Sequence, residues 1–205
     1  MIACAGAPEP KADPIATVPT RFVFLDRDGT LVRDGGYVHR LEDYALLPGV
    51  VPALRALSSA GFHLAIVTNQ SGIGRGVFDE AAYRAFEAHL EADLARQGVA
   101  IAASFFCPHR PDEGCACRKP EPGLFLRARD VLGADLGASF AIGNEPRDAE
   151  AAIAAGCRGA VLIGREPPPR LPARTRHAPD LAAAAALILA ENGDVRQNVK
   201  TRVDR

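Results

Sequence analysis

The stretch Phe22-Val23-Phe24-Leu25-Asp26-Arg27-Asp28-Gly29-Thr30 constrains this chain more than any other. Its consecutive apolar residues read as a strand buried on both faces, the pattern of a parallel sheet covered by helices. The run ends in two aspartates one residue apart, with Gly29 behind them. Carboxylates are seldom fully buried without a partner, whereas the carboxyl tip of a parallel strand is where open α/β sheets place their ligands. The plainer reading is a strand that ends in a polar, glycine-containing turn. The chemical reading makes Asp26 a nucleophile and Asp28 a general acid/base, with a divalent cation between the carboxylates and an incoming phosphate.

Further apolar runs at 62–67, 102–106, 140–143 and 160–163 repeat the strand pattern. Helical spacing separates them. Val50, Val51, Leu54 and Leu57 follow Pro48-Gly49 and stop at Gly61. Tyr83, Phe86, Leu90 and Leu94 follow the candidate cap Asp79. Leu124, Phe125, Ala128, Val131 and Leu132 follow Pro122, and an alanine-rich helix runs to Gly156. Strands alternating with helices predict an α/β fold, a parallel sheet with right-handed crossovers.

At 205 residues one domain is expected, over residues 20–190. Residues 1–19 are rich in alanine and proline without a period and read as a disordered lead-in. Leu181–Leu189 reads as a short helix, and the charged stretch 191–205 as a frayed tail. Residues 165–179 hold five prolines and four arginines and read as an irregular surface segment. Gly72-Ile73-Gly74-Arg75-Gly76 has a superficial likeness to a dinucleotide fingerprint but lacks its βαβ context, and reads as a mobile loop. A formal net charge of −1 gives no basic field for nucleic acid. No run is long enough to span a membrane, and the first residues lack the basic segment of a secretory signal. A cytoplasmic protein is expected, in which cysteines serve metal or chemistry before disulfides.

Three of the five cysteines lie close together with a histidine: Cys107-Pro108-His109, five residues, then Cys115-Ala116-Cys117. Three thiols and an imidazole suit tetrahedral zinc, and with four protein ligands the site is closed and therefore structural. Unrelated residues or a redox pair are the plainer alternatives. Arg118-Lys119 follows the last ligand at once, so zinc would fix a loop that presents two cations to phosphate. The chain has only three lysines against 21 arginines, which sets Lys119 apart from an ordinary surface lysine. Thr68 at the end of the second strand offers a hydroxyl, and the amides after it can cradle phosphate oxygens. Asp148, after the fourth strand, reads as a metal ligand, a helix cap, or both. His63 reads as a packed or surface histidine, and Cys157 as a small buried residue.

Together these pieces resemble one subfamily of the haloacid-dehalogenase phosphatases, the D-glycero-D-manno-heptose 1,7-bisphosphate 7-phosphatases. The resemblance rests on Asp26-x-Asp28-Gly29-Thr30, Gly36-Tyr37-Val38-His39, Val67-Thr68-Asn69-Gln70-Ser71-Gly72-Ile73-Gly74-Arg75-Gly76 and Cys107-x-His109…Cys115-x-Cys117-Arg118-Lys119-Pro120-x-Pro122-Gly123. Histidinol-phosphate phosphatases share the aspartates and the cysteine cluster, and are the alternative. The resemblance implies a capless, three-layer Rossmann-like fold with a zinc-stabilised loop. It implies that Asp26 attacks phosphorus to form an aspartyl-phosphate, and that Asp28 protonates the leaving sugar oxygen and then deprotonates water. Thr68, Asn69 and Lys119 would hold the phosphoryl group; Arg118, Arg75 and His39 would engage the sugar or the distal phosphate. Mg²⁺ would be held by Asp26, the Asp28 carbonyl and an aspartate after the fourth strand, and Zn²⁺ by Cys107, His109, Cys115 and Cys117. The implied partner is a small phosphorylated sugar on the way to nucleotide-activated heptose for lipopolysaccharide or surface glycan, and the implied state a monomer.

The sequence departs from the subfamily after the fourth strand. The pattern there is Gly-Asp-Lys-x-x-Asp, and this chain has Gly143-Asn144-Glu145-Pro146-Arg147-Asp148. Asn144 offers Mg²⁺ a neutral oxygen in place of a carboxylate. Three outcomes stand open: Glu145 supplies the charge, the metal binds weakly with activity kept, or the chain binds sugar phosphates without turning them over.

Overall fold

The computed structural model describes residues 20–203; the lead-in expected at 1–19 lies outside the described residues. In chain order the elements are β1 (Phe22–Leu25), α1 (Val50–Ser59), β2 (His63–Asn69), α2 (Ser71–Gly74), α3 (Glu80–Arg96), β3 (Ala103–Cys107), α4 (Gly123–Leu132), β4 (Phe140–Gly143), α5 (Pro146–Ala155), β5 (Gly159–Ile163), β6 (Thr175–Ala178) and α6 (Leu181–Val203). The strands form one sheet in the order β3-β2-β1-β4-β5-β6, parallel throughout. The chain runs outward from β1 to β3, then returns to the far side of β1 to lay down β4. Strand order therefore reverses between β1 and β4, and a crevice opens there at the carboxyl ends.

Pleating explains why β1 is apolar at every position. Successive side chains point to opposite faces, so Val23 and Leu25 join the core beneath α1, α3 and α6, with Leu54, Leu57, Phe86, Leu90 and Ile188. Phe22 and Phe24 join the other core, beneath α4 and α5, with Phe105, Leu124, Phe125 and Ala151. Each buried Val, Leu, Ile or Phe among these contributes roughly 1.5–3 kcal/mol. Asp79 caps α3 by accepting from the Ala82 amide, and the glycines after α4 and α5 end them in left-handed conformation.

Three expectations change. The segment 165–179 is not wholly irregular: Thr175–Ala178 forms β6, paired with β5 from Ala160↔Thr175 to Ile163↔Ala178. It is an edge strand, and of its four residues only Ala178 is buried, so it carries no apolar pattern to read. The glycine-rich segment after β2 is not a loose loop, because Ser71–Gly74 closes a helical turn held by the Gly74 amide donating to the Pro108 carbonyl at 2.9 Å. The terminal helix reaches Val203, well past Leu189. Among the described residues no helix is long and apolar enough to cross a membrane.

Candidate active site

The tips of β1, β2 and β4 and the loop after β3 surround a cavity of about 210 Å³. Asp26, Asp28, Thr68, Asn69, Arg118, Lys119, Asn144 and Asp148 all line it. Asp26 continues β1 beyond its last rung, its amide donating to the Ile142 carbonyl at 2.9 Å. Its carboxylate meets Lys119 Nζ at 2.8 Å.

Lys119 is 2% exposed and has all three ammonium protons matched. They go to Asp26 Oδ1 at 2.8 Å, the Val67 carbonyl at 2.7 Å and Asp148 Oδ1 at 2.6 Å. Its backbone is held as firmly. Asn69 Oδ1 accepts from the Lys119 amide and Asn69 Nδ2 donates to the Lys119 carbonyl, both at 3.1 Å. Asn69 therefore bolts the strand tip to the loop that delivers the lysine.

Burial alone would lower the Lys119 pKa, but the Asp148 and Asp26 carboxylates outweigh it and hold the ammonium above its usual range. For Asp26, burial pushes the carboxyl up, Lys119 opposes, and Asp148 and Asp28 add to the rise, leaving it at about 7. One lysine shared by two carboxylates, with a third nearby, leaves the cluster short of positive charge.

Asp148 has both oxygens engaged. Oδ2 accepts the Glu145 amide at 2.9 Å, capping α5, and Oδ1 anchors Lys119. It packs so closely on the end of β4 that a Cβ at Gly143 would stand 2.4 Å from Oδ2, so only glycine fits there. Asn144 turns its amide nitrogen toward Gly29, where a Cβ would lie 2.3 Å away; Gly29 has φ +75, so glycine serves both the turn and the contact. Glu145 also lines the cavity; its side chain shares in the capping of α5 and stands 3.9 Å from Arg147.

The sequence reading passed over three groups. Arg27, between the aspartates, is wholly buried and forks onto Asp28, with Nε to Oδ1 at 2.9 Å and Nη2 to Oδ2 at 3.0 Å. Gln70 donates to Asp28 Oδ2 at 2.8 Å and to Thr68 Oγ1 at 3.0 Å. Arg147 lines the same cavity. Burial, and then the charges of Arg147 and Arg75, draw the Arg118 guanidinium below its usual range; of these cations Arg118 and Arg147 line the cavity, whereas Arg75 does not. His39 lies elsewhere. Its ring stacks on Phe78 at 4.6 Å, its Nδ1 donates to the Tyr37 carbonyl at 2.6 Å, and it lines a neighbouring cavity that shares Gly36 and Tyr37 with the first.

At the end of β3, the ligand atoms of Cys107, His109, Cys115 and Cys117 lie within 4.8 Å of one another. Zinc–ligand bonds of about 2.0–2.3 Å imply tetrahedral edges of about 3.5–3.8 Å. The sulfur–sulfur separations are 3.6, 3.4 and 3.7 Å, and His109 Nδ1 stands 3.5 and 3.3 Å from Cys107 and Cys117. These five separations are close to the edges of a tetrahedral site, and none of the three thiols is in a disulfide with another described cysteine.

A family profile for haloacid dehalogenase-like hydrolases matches residues 32–156. The chain belongs to this family. It is 43% identical over 148 residues to a D-glycero-beta-D-manno-heptose-1,7-bisphosphate 7-phosphatase of Yersinia pestis, covering 69% of this chain and 79% of that one. It is 38% identical over 185 residues to the phosphatase of the same name from Escherichia coli K12, covering 87% and 93%. Among solved structures, the D,D-heptose 1,7-bisphosphate phosphatase of B. bronchiseptica, complexed with magnesium and phosphate, is 36% identical, with a TM-score of 0.75 over 83% of this chain and 99% of that one. The Burkholderia thailandensis enzyme is 30% identical, with a TM-score of 0.61 over 82% and 98%. This member of the family has two aspartates at the tip of β1, a cysteine–histidine cluster at the end of β3, and Asn144 at the end of β4.

Proposed function

We propose that this chain is a phosphatase that hydrolyses the 7-phosphate of D-glycero-D-manno-heptose 1,7-bisphosphate, supplying nucleotide-activated heptose synthesis. The observation that carries this is the convergence of Asp26, Asp28, Thr68 and Lys119 on one cavity, in a chain whose relatives bear that name.

Asp26 is the nucleophile. Its carboxylate oxygen bonds to phosphorus while the ester P–O bond breaks, and the electron pair leaves on the sugar oxygen. Asp28 gives that oxygen a proton. Water then attacks the aspartyl-phosphate, Asp28 takes the water's proton, and the Asp26–phosphorus bond breaks to release inorganic phosphate. Thr68 offers its hydroxyl to the phosphoryl oxygens, and Lys119, its protons held by Asp26, Val67 and Asp148, acts on them through its charge, which its rigid seat keeps aimed where negative charge develops. Arg118, Arg147 and Arg75 draw in the second phosphate.

The oxygen donors at the strand tips suit a hard dication; burial first, and then the Asp148 and Asp28 carboxylates, raise the Asp26 carboxyl to about 7, a rise that added positive charge would oppose. Asp26, the Asp28 carbonyl and Asn144 would hold Mg²⁺, with Asp148 bracing the site through Lys119. When bound, Mg²⁺ supplies charge neutralisation between nucleophile and phosphate. The four-ligand cluster at Cys107, His109, Cys115 and Cys117 holds structural zinc and fixes the loop that carries Arg118 and Lys119.

A second reading follows from Asn144, which removes one carboxylate from the dication's shell: a sugar-phosphate-binding homologue with little turnover. Phosphate release from heptose 1,7-bisphosphate over a Mg²⁺ titration, for this chain and its Asn144→Asp variant, separates the two. Activity of this chain at millimolar Mg²⁺ supports the enzyme. Activity confined to the variant supports the impaired homologue. A preference for histidinol phosphate in the same assay would remove the heptose substrate.

A further inference from the structure

Arg27 is the largest fully buried side chain of the described residues, and it sits between the two aspartates of the site. A buried guanidinium is costly unless every face is matched, and here its contacts tie together four separate segments. It forks onto Asp28. The two protons of Nη2 serve three acceptors, since it also donates to the Val38 carbonyl at 2.7 Å and shares a proton with Gln70 Oε1 at 3.2 Å. Nη1 faces the buried Glu87 of α3 at 3.5 Å, and the guanidinium lies over the rings of Phe86 and Tyr83 at 4.8 and 5.5 Å. Val38 belongs to the loop beside the cavity, and Gln70 follows the phosphate-binding tip of β2.

We infer that Arg27, with Gln70, is the positioning unit that makes Asp28 an acid/base of fixed orientation, an inference that rests on the proposed phosphatase reading. Asp28 Oδ2 accepts two N–H bonds, from Arg27 and Gln70, while Oδ1 accepts one, from Arg27 Nε. A carboxylate oxygen has two lone pairs, so Oδ2 is filled and Oδ1 keeps one free. Oδ1 is therefore the atom that gives the proton to the leaving oxygen and takes it from water. The fork also stops the carboxylate from rotating, because a turn about its terminal bond would break two N–H bonds together. A lysine would keep the charge but not the fork.

The test uses leaving groups. A sugar alkoxide must be protonated as it departs, whereas p-nitrophenolate leaves as the anion. Values of kcat/KM report the first half-reaction, in which the leaving group departs. Arg27→Lys is expected to lower kcat/KM on the sugar phosphate about 100-fold or more, the low end of general acid/base contributions. On p-nitrophenyl phosphate kcat/KM should change less than about 5-fold, with a burst of nitrophenolate as the aspartyl-phosphate accumulates. Asp28→Asn, as a control, should show the same split. Should Arg27→Lys not fold, Gln70→Met removes one donor to Oδ2 and should give a smaller split of the same sign. Its lost bond to Thr68 affects both esters alike and cancels in the ratio. Equal losses on the two esters in a folded variant would overturn the inference and make Arg27 a stability residue only. Wild-type turnover is measured first on the bisphosphate and on a simple alkyl phosphate. Failure on the bisphosphate alone counts against the proposed substrate, and the alkyl ester then serves for the Arg27 comparison.

Discussion

Replacing Asp26 by asparagine should change how stability responds to pH by an amount the site itself sets. An aspartate in the unfolded chain ionises near 3.8, whereas burial and the neighbouring carboxylates raise the folded Asp26 to about 7. Between those values the folded protein holds a proton that the unfolded chain has released. Unfolding therefore gives up a proton, and rising pH favours the unfolded chain until the folded group also ionises. From pH 5.5 to pH 7 the interval is about 1.5 units, which corresponds to about 2 kcal/mol at 1.36 kcal/mol per unit. The substituted amide has no proton to lose, and its oxygen can still accept from Lys119. Urea unfolding in magnesium-free buffer, at pH 5.5 and pH 8, gives the comparison. The stability of Asp26→Asn relative to the wild type should be greater at pH 8 by about 2 kcal/mol. Titrating groups outside this cluster act alike in both proteins and cancel. A constant difference, or a wild type that gains on its variant as pH rises, would refute the reasoning; it would mean that Lys119 alone outweighs the desolvation of Asp26. Millimolar Mg²⁺ should erase much of the wild type's loss at pH 8, since added positive charge favours the ionised carboxylate.

Lys119→Met should abolish phosphatase activity and cost about 3–5 kcal/mol, because Asp26 and Asp148 are left buried without their cation; denaturant titration and phosphate release check both. Metal analysis should find about one zinc per chain, and Cys117→Ser should lower both the zinc content and the melting temperature. A folded wild type free of zinc would contradict the tetrahedral reading. Gly143→Ala should destabilise by about 1–3 kcal/mol through overpacking, since the new methyl would meet Asp148 at 2.4 Å. Burial raises the Cys157 thiol to about 12, so at pH 8 it stays protonated. Alkylation of the native protein there should spare Cys157 and label it only after unfolding, as peptide mass mapping would reveal.

The parts of this molecule that were legible in its sequence are those where one physical demand dominates. The strands from β1 to β5 are covered on both faces, so their apolar runs stand out. Asp26 and Asp28 end such a run, and the cysteine–histidine cluster has a spacing with few other uses. β6 escaped because an edge strand with one buried side chain has nothing periodic to display, and prolines surround it. Arg27 escaped for a different reason. A charged residue between two aspartates reads as surface, and only the aromatic floor of Tyr83 and Phe86 and the counter-charge of Glu87, all from a distant helix, make burial possible. Gln70 and Arg147 were hidden in the same way: their roles depend on which segments meet, which spacing along one chain does not encode. Asn144 was visible as a departure from pattern, but its approach to Gly29 required the fold.

The double clamp of Asn69 on the Lys119 backbone has a kinetic meaning. A flexible lysine would have to be gathered into place each time a substrate arrived, and immobilising such a side chain costs roughly 0.5–1.5 kcal/mol at every encounter. Here that entropy is lost once, when the chain folds and the cysteine cluster closes the loop, and is not lost again as one substrate molecule follows another. A site organised in this way, with no second domain among the described residues to swing over it, should show little lag between binding and reaction. Its turnover should follow the arrival and departure of small molecules more than any rearrangement of the protein.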